Sequence, residues 1–330
     1  MNKEFFVSTF REWRLYIETF LKWLVIASLI GGAGGLIGAI FHHSIDMAEV
    51  FRSTHPWLLW LLPIAGLLIV GFYKMTRTEG LNTNHVIRAV HKGKRLSVLL
   101  MPAIFFATVL TQLCGGSAGR EGAALQMGGT IGQWIGRGLY LDDSDLRIAT
   151  LAGMAAFFSA LFGTPLAAAV FAVMVISIGI LYHVALVPCL IASLSAYFLA
   201  GALGVQPVRF AVQVPEASAM TFFQVGFLGI LCALVSIFFC MMMHGAEKGM
   251  RKILPNAWLR VLAGAGIIIV LTYLCGTNDY NGVGMGVIAA AIEEGKAEPL
   301  AFLLKLVFTS VTLAAGFLVL QVLSCQSVWR

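Results

Sequence analysis

The segment "CGGSAGREGAALQMGGTIGQWIG", residues 114–136, places glycines and an Arg-Glu pair within an apolar part of the chain. An ionisable residue inside a hydrophobic segment is costly to bury and therefore points to a function. Glu121 opens an apolar stretch that predicts a helix running to about Trp134. A glutamate in the first turn of a helix interacts favourably with the positive end of the helix dipole. The segment thus indicates a helix N-terminus that carries a carboxylate.

The chain around this segment has the composition of an integral membrane protein. Of its 330 residues, 59% are hydrophobic and 12% are charged, whereas soluble domains have about 25% charged residues. The mean hydropathy is +0.89. The net charge of +6 is not gathered on a basic face, so we expect the lipid bilayer, and not nucleic acid, as a partner.

The distribution of lysine and arginine predicts an orientation, because cytoplasmic loops carry an excess of these residues. The loop between residues 42 and 57 offers only Arg52, beside Asp46 and Glu49. We therefore expect a multi-pass protein of the cell membrane, with the N-terminus and the loop 74–95 in the cytoplasm. The basic residues of these two regions are Lys3, Arg11, Arg14 and Lys22, then Lys74, Arg77, Arg88, Lys92, Lys94 and Arg95.

Apolar segments predict an all-α polytopic protein in four parts. These are an interfacial helix at residues 1–20, a first membrane repeat at 21–203, a linker at 204–220 and a second repeat at 221–330. Several segments are shorter than the ~20 residues of a simple span, and the glycine-rich breaks between them are typical of transporters with broken and re-entrant helices. The predicted segments are Leu21–Ile40, Trp57–Tyr73, Ser97–Leu113, Ile148–Phe162, Pro165–Ile180, Val184–Leu203, Phe222–Met243, Leu259–Cys275, Val283–Ile292 and Leu300–Phe317.

Two short stretches of similar sequence indicate the internal repeat. "NHVIRAVHKGK", residues 84–94, resembles "MGVIAAAIEEGK", residues 285–296, and each is followed by a polar gap and an apolar span. The first unit then reaches Gly115 and Gly116, and the second reaches Gly316 at nearly the same distance. Chance similarity is the alternative. Repeated halves are how many transporters build a site near the membrane midplane.

The helix that begins at Glu121 predicts an anion site. The N–H groups of residues 119–123 have no partner within the helix, and such groups bind anions. We therefore name Gly119, Arg120, Gly122 and Ala123 as anion-binding residues. An anion and the Glu121 carboxylate would compete for the same helix end, so protonation of Glu121 would admit the anion. In the alternative interpretation Glu121 only caps the helix, and Arg120 only fixes the loop by binding carbonyls or a carboxylate.

Sequence patterns of metal sites and enzymes are missing. The six cysteines include no CxxC pair, and the seven histidines are scattered. We expect no metal and no cofactor. A membrane-embedded enzyme with Glu121 as general acid or base would need a partner nucleophile or a metal cluster, and the sequence has no Ser-His pair, HExxH or Asp-rich motif. The sequence therefore favours transport.

"GREGAALQMGGTIGQ" resembles the G-[KR]-E-G-P motif of the CLC family of chloride channels and proton-coupled anion transporters. "ATLAGMAAFFSALFGTPLAAAVF", residues 149–171, is similar to the two helices that follow this motif in the family. The resemblance covers the chain from about residue 20 to residue 317. It implies an inverted-repeat fold, transport of a halide anion, Glu121 as the gate and proton carrier, and a homodimer.

Two departures from the motifs resemble the family's fluoride-exporting branch, which exchanges fluoride for protons. "GLNTNHVI", residues 80–87, stands where chloride-selective members have G-S-G-I-P, and Ala123 replaces the motif's proline. The glutamate of many chloride/proton members is also replaced, here by the apolar Met174 and Val175. Some chloride channels lack that glutamate too, so a chloride channel or chloride/proton antiporter is the alternative.

Fluoride is small and strongly hydrated, and replacing its water requires several strong hydrogen-bond donors. Asn82, Thr83 and Asn84 supply amide and hydroxyl donors where a serine would supply one. We therefore expect these three residues to bind the anion. Either asparagine could instead cap the short helix that follows.

The C-terminal sequence departs most from the family. The third motif should follow Gly316, but the chain reads "GFLVLQVLSCQSVWR" without a Gly-Gly pair or a proline. We expect a second repeat that is truncated or frame-shifted, with an authentic short homologue as the alternative. An inactive membrane scaffold is the corresponding functional alternative.

Overall fold

The computed structural model describes residues 3–81, 83–92, 95–175, 182–210, 218–296 and 298–318. Within these ranges the only regular elements are helices. Twelve α-helices are accompanied by 3₁₀ turns at Pro56–Leu61 and His183–Ala185. The α-helices are α1 (Lys3–Thr54), α2 (Leu62–Met75), α3 (Thr83–Lys92), α4 (Leu100–Leu113), α5 (Glu121–Gly138), α6 (Asp143–Phe162), α7 (Pro165–Met174), α8 (Leu186–Ala202), α9 (Ala219–Ile253), α10 (Ala257–Cys275), α11 (Met285–Glu293) and α12 (Ala301–Ala315).

Helix lengths are unequal, as expected for broken helices. Six helical segments in the described ranges are long and apolar enough to cross a membrane, and α4, α7 and α12 are apolar but shorter. The all-α fold is thereby confirmed. The six segments are 16–54, 56–75, 143–162, 183–202, 219–253 and 257–275.

Helix α1 shows no break between the predicted interfacial helix 1–20 and the span 21–40. No proline or glycine stands between Lys3 and Ile30, so nothing in the sequence ends the helix there. Of the predicted span 165–180, α7 covers Pro165–Met174. Residues 176–181, residues 211–217 of the predicted linker, and residues 319–330 of the C-terminal segment lie outside the described residues.

Contacts divide the chain into two compact units. The first contains residues 1–42, 85–101 and 124–207, and the second contains residues 43–84, 102–123 and 208–330. Each unit draws on several separate stretches of sequence. The repeat boundaries 21–203 and 221–330 follow the order of the chain instead, and they remain a prediction.

In the first unit, glycines allow helices to pack at short range. On α1, Gly34 and Gly38 face Ala156 and Ala160 of α6, and a Cβ at either glycine would lie within 2.9 Å of these alanine methyl groups. The other side of α1, at Gly31 and Gly35, packs in the same way on α8. Small residues permit this close approach where lipid supplies no hydrophobic driving force.

The second unit has a core formed by α2, α10 and α12. Leu62, Val261 and Phe308 are fully buried in it. Gly66 of α2 fits against Val261 and Phe317, and Gly264 of α10 fits against Ala315. This packing fixes α12, whose C-terminal end lies beside the candidate site described below.

The structure supports the internal repeat with matching elements. Helices α3 and α4 correspond in order and length to α11 and α12. A separation of 201 residues relates Thr108 to Thr309, Thr111 to Thr312 and Gly115 to Gly316. Both glycines have positive φ, at 85° and 96°. Thr111 and Thr312 each donate to the carbonyl four residues earlier, at 2.7 and 2.8 Å.

Candidate anion site

The loop between α4 and α5 turns sharply and exposes the start of α5. Gly115 adopts φ +85°, a region that favours glycine, and the Gly116 N–H donates to the Thr111 carbonyl at 2.8 Å. Gln112, which is 2% exposed, donates through Nε2 to the Ala118 carbonyl at 2.6 Å. Hydrogen bonds to α4 therefore hold the loop in this conformation.

Residues distant in sequence hold the same loop. The Ser117 N–H donates to Thr312 Oγ1 at 3.1 Å, and Ser117 Oγ lies 3.0 Å from Thr309 Oγ1. The Gly282 N–H donates to the Gly116 carbonyl at 3.2 Å. Because all of these groups are buried or half-buried, each bond also satisfies a polar group that would otherwise be costly to desolvate.

Glu121 is the first residue of α5, which confirms the predicted start of the helix. Its side chain is exposed and folds back toward the preceding loop, where Oε2 occupies the position that a Cβ of Gly119 would take. A carboxylate at this position lies against the positive end of the helix dipole. This is the region where an approaching anion would find the free N–H groups of the first turn.

Arg120 is 5% exposed. Its Nη1 lies 3.7 Å from Oδ1 of Asp46 on α1. A contact with a carboxylate is what the loop-fixing alternative expects. The anion-binding role of Arg120 remains a prediction.

The other predicted anion-binding residues are placed unequally. Gly122 is half-buried and Ala123 is fully buried, so only their backbone can face an anion at the end of α5. Thr83, the first residue of α3, is 6% exposed. Asn82 and the side chain of Asn84 lie outside the described residues. The convergence of the two loops on one cavity therefore remains a prediction.

Comparisons with known proteins agree with this geometry. The family model described as "Voltage gated chloride channel" matches residues 65–318. The chain belongs to the CLC family. A "Chloride/fluoride channel protein" of Pseudomonas syringae pv. tomato is 33% identical over 306 residues, which are 90% of this chain and 67% of that protein. An H(+)/Cl(−) exchange transporter of Cronobacter sakazakii is 31% identical over 170 residues, 47% of this chain and 36% of that protein.

Solved structures show the CLC fold. A CLC-type fluoride/proton antiporter superposes with a TM-score of 0.85 at 29% identity, covering 90% of this chain and 76% of that one. A slow cyanobacterial Cl⁻/H⁺ antiporter superposes with a TM-score of 0.76 at 19% identity. The chain is thus a multi-pass membrane protein for anion transport, and CLC proteins are transporters or channels, not enzymes.

Several residues of this CLC site were absent from the sequence predictions. They are Gln112, Ser117, Thr309 and Thr312, which hold the loop that precedes Glu121. The Thr-x-x-Thr pattern that recurs before Gly115 and Gly316 is the sequence signal that could have identified the threonines. Met174 and Val175, which by resemblance stand where many chloride/proton members have a glutamate, are exposed and buried respectively.

Proposed function

We propose that this protein carries fluoride across the membrane in exchange for protons, with Glu121 as gate and proton carrier. The observation that carries the proposal is the position of the Glu121 carboxylate over Gly119, at the open end of α5. Hydrogen bonds donated by Gln112 and Gly282, and one accepted by Thr312, hold the loop that precedes it. A fixed loop presents its N–H groups without reorganisation when the carboxylate leaves.

Charge competition gives the exchange step. The ionised carboxylate and an incoming anion both favour the positive end of α5, and they repel each other. When Glu121 takes up a proton, its attraction to the helix end weakens, and the N–H groups of residues 119–123 become available to the anion. Departure of the anion lets the carboxylate return and release the proton. One proton thus moves against each passage of the anion.

Fluoride is favoured over chloride by the residues around the path. Asn82, Thr83 and Asn84 would supply amide and hydroxyl donors for a strongly hydrated ion. Ala123 replaces the proline of the family motif. Fluoride appears in the names of the Pseudomonas chloride/fluoride channel protein and of the fluoride/proton antiporter that has the same fold, which supports fluoride as a substrate.

Chloride/proton exchange is the second candidate, because the relatives include H(+)/Cl(−) exchange transporters. The purified protein in liposomes loaded with sodium fluoride or sodium chloride separates the two. We expect faster efflux of fluoride than of chloride. Equal or faster chloride efflux would assign the protein to chloride transport, and no efflux of either anion would favour an inactive scaffold.

Replacing Glu121 with glutamine tests the gate. Gln keeps the shape of the protonated side chain but cannot carry a proton, so we expect Glu121→Gln to abolish proton uptake driven by a fluoride gradient. Glu18→Gln is the matched control, because Glu18 is exposed and pairs only with Arg14 in the described structure. If Glu121 only caps α5, proton uptake will survive, and stability will fall by ~0.5–1 kcal/mol.

The homodimer implied by the family is part of the same proposal. Light scattering of the protein in detergent, corrected for bound detergent, would give the mass of two chains. A monomer that still exchanges fluoride for protons would show that each chain carries a complete path.

A further inference from the structure

A cavity lies in the same compact unit as the start of α5. It has a volume of about 240 Å³ and is bordered by the C-terminal end of α1, by Gly115 of the candidate site and by the first turn of α11. Its polar lining includes Glu49, Arg52 and Asn281, with Asp279 exposed at the rim.

Arg52 brings a positive charge with spare donors to this cavity. Its side chain is 12% exposed, and its nearest carboxylate oxygen is Glu49 Oε1, 3.8 Å from Nη2. Nε is buried and has no hydrogen-bond partner in the part of the chain that the structure describes. The guanidinium lies over Gly282, where Nη2 is 2.7 Å from the position of a would-be Cβ. A side chain at position 282 would displace the Arg52 guanidinium from this place.

Asn281 supplies an unpaired amide. It is 3% exposed, and its Oδ1 accepts a hydrogen bond from Thr272 at 3.2 Å. This bond fixes the side chain so that Nδ2 faces the backbone of Gly115, 3.3 Å from the position of a Cβ there. Nδ2 donates no hydrogen bond to the residues that the structure describes. The amide is therefore free to donate to a ligand in the cavity.

The N-terminal end of helix α11 borders the same cavity. The helix follows Gly284, at φ +85°, and no side chain caps its first N–H groups. Gly286 and Val287 of the first turn line the cavity. Lys305 holds the loop before α11 by donating to the Tyr280 and Gly282 carbonyls, at 3.1 and 2.6 Å. Because no side chain caps α11, the N–H groups of its first turn have no side-chain partner.

From this arrangement we infer a second anion-binding site, for a halide, between Arg52, the Asn281 amide and the N-terminus of α11. The inference rests on the proposed function for the identity of the ion. By the internal repeat, α11 corresponds to α3, so the site is the counterpart of the predicted Asn82–Asn84 loop. Glu49 lies beside Arg52 and competes with the anion, so binding is weaker than Arg52 alone would give.

Equilibrium binding of sodium fluoride to the purified protein, by calorimetry at constant ionic strength, tests this site. Arg52→Gln and Asn281→Asp should each weaken binding by at least about tenfold, because the first removes the positive charge and the second replaces the amide donor with a carboxylate that repels the ion. Asp at position 281 still accepts from Thr272, so the hydrogen bond that holds the side chain is kept. Glu49→Gln should strengthen binding.

Thr272→Val removes the hydrogen bond that orients Asn281 and leaves the amide itself, so a smaller loss than in Asn281→Asp is expected. Affinity like that of the wild type in both Arg52→Gln and Asn281→Asp would overturn the site. The titration is repeated in the Glu121→Gln protein, in which the anion site at the start of α5 is open, and there Arg52→Gln and Asn281→Asp should weaken only the binding at the second site. Failure of fluoride transport in the wild type would refute the proposed function without changing these isotherms, so the two failures are distinguishable.

Discussion

At the scale of single residues, the gate depends on the residue two positions before it. The Glu121 carboxylate folds back onto its own helix end, and it fits there because Gly119 has no side chain. The contact involves the flexible end of a glutamate, so a methyl group at position 119 would displace the carboxylate and leave the backbone in place. In the proposed mechanism, Gly119 therefore sets the closed position of the gate.

Gly119→Ala should fold normally and lower the ratio of protons to fluoride ions exchanged, because the ionised carboxylate can no longer close the helix end fully. Liposome flux with simultaneous recording of pH and fluoride measures this ratio. Gly138→Ala is the matched control, since a Cβ at that end of α5 meets nothing within 4 Å. An unchanged ratio in Gly119→Ala would mean that the folded-back position of Glu121 is not the closed gate.

At the scale of elements, the position of α5 depends on its contact with α6. A Cβ on Gly132 would collide with the carbonyl oxygen of Ala149, and one on Gly128 with that of Gly153. Backbone atoms in a packed helix pair cannot move aside as a side chain can. These glycines therefore set the distance between the two helices.

Gly132→Ala should destabilise the protein by ~1–3 kcal/mol, which is typical of overpacking. Unfolding in mixed detergent, followed by circular dichroism, measures the change. Gly266→Ala on α10 is the control, because a Cβ there meets nothing within 4 Å, and we expect no loss of stability. Equal stability of the two variants would show that α5 and α6 can separate at little cost.

The sequence predicted elements better than it predicted contacts between them. Hydropathy and the Arg120-Glu121 pair indicated the start of α5, and the glycine-rich breaks indicated short helices. The sequence did not predict the contacts of the loop before α5, because Ser117 and Thr309 are distant in sequence and meet only after folding. For Arg120 the alternative to anion binding expected a carbonyl or carboxylate partner, but the sequence did not identify Asp46 as that partner.

At the scale of the whole molecule, the exposed apolar surface and the distribution of charge both concern how the chain lies in the membrane. Helix α9 has a span with none of its residues buried, and Phe222, Phe227 and Ile230 are more than half exposed, which suits contact with hydrocarbon. Basic residues concentrate in the loop 74–95 and near the N-terminus, whereas Arg52 stands beside Asp46 and Glu49 at the other end of α1. This asymmetry predicts that the N-terminus is cytoplasmic.

Cysteines introduced one at a time test this orientation. Glu79→Cys lies in the basic loop and Thr54→Cys lies at the end of α1, and both positions are exposed. A membrane-impermeant maleimide added to intact cells should label Thr54→Cys and leave Glu79→Cys unmodified until the membrane is opened. The parent chain is labelled in parallel, because Cys232 on α9 is exposed in the structure. The reverse pattern would place the cavity at Arg52 on the cytoplasmic side, and fluoride would then meet that site before the gate instead of after it.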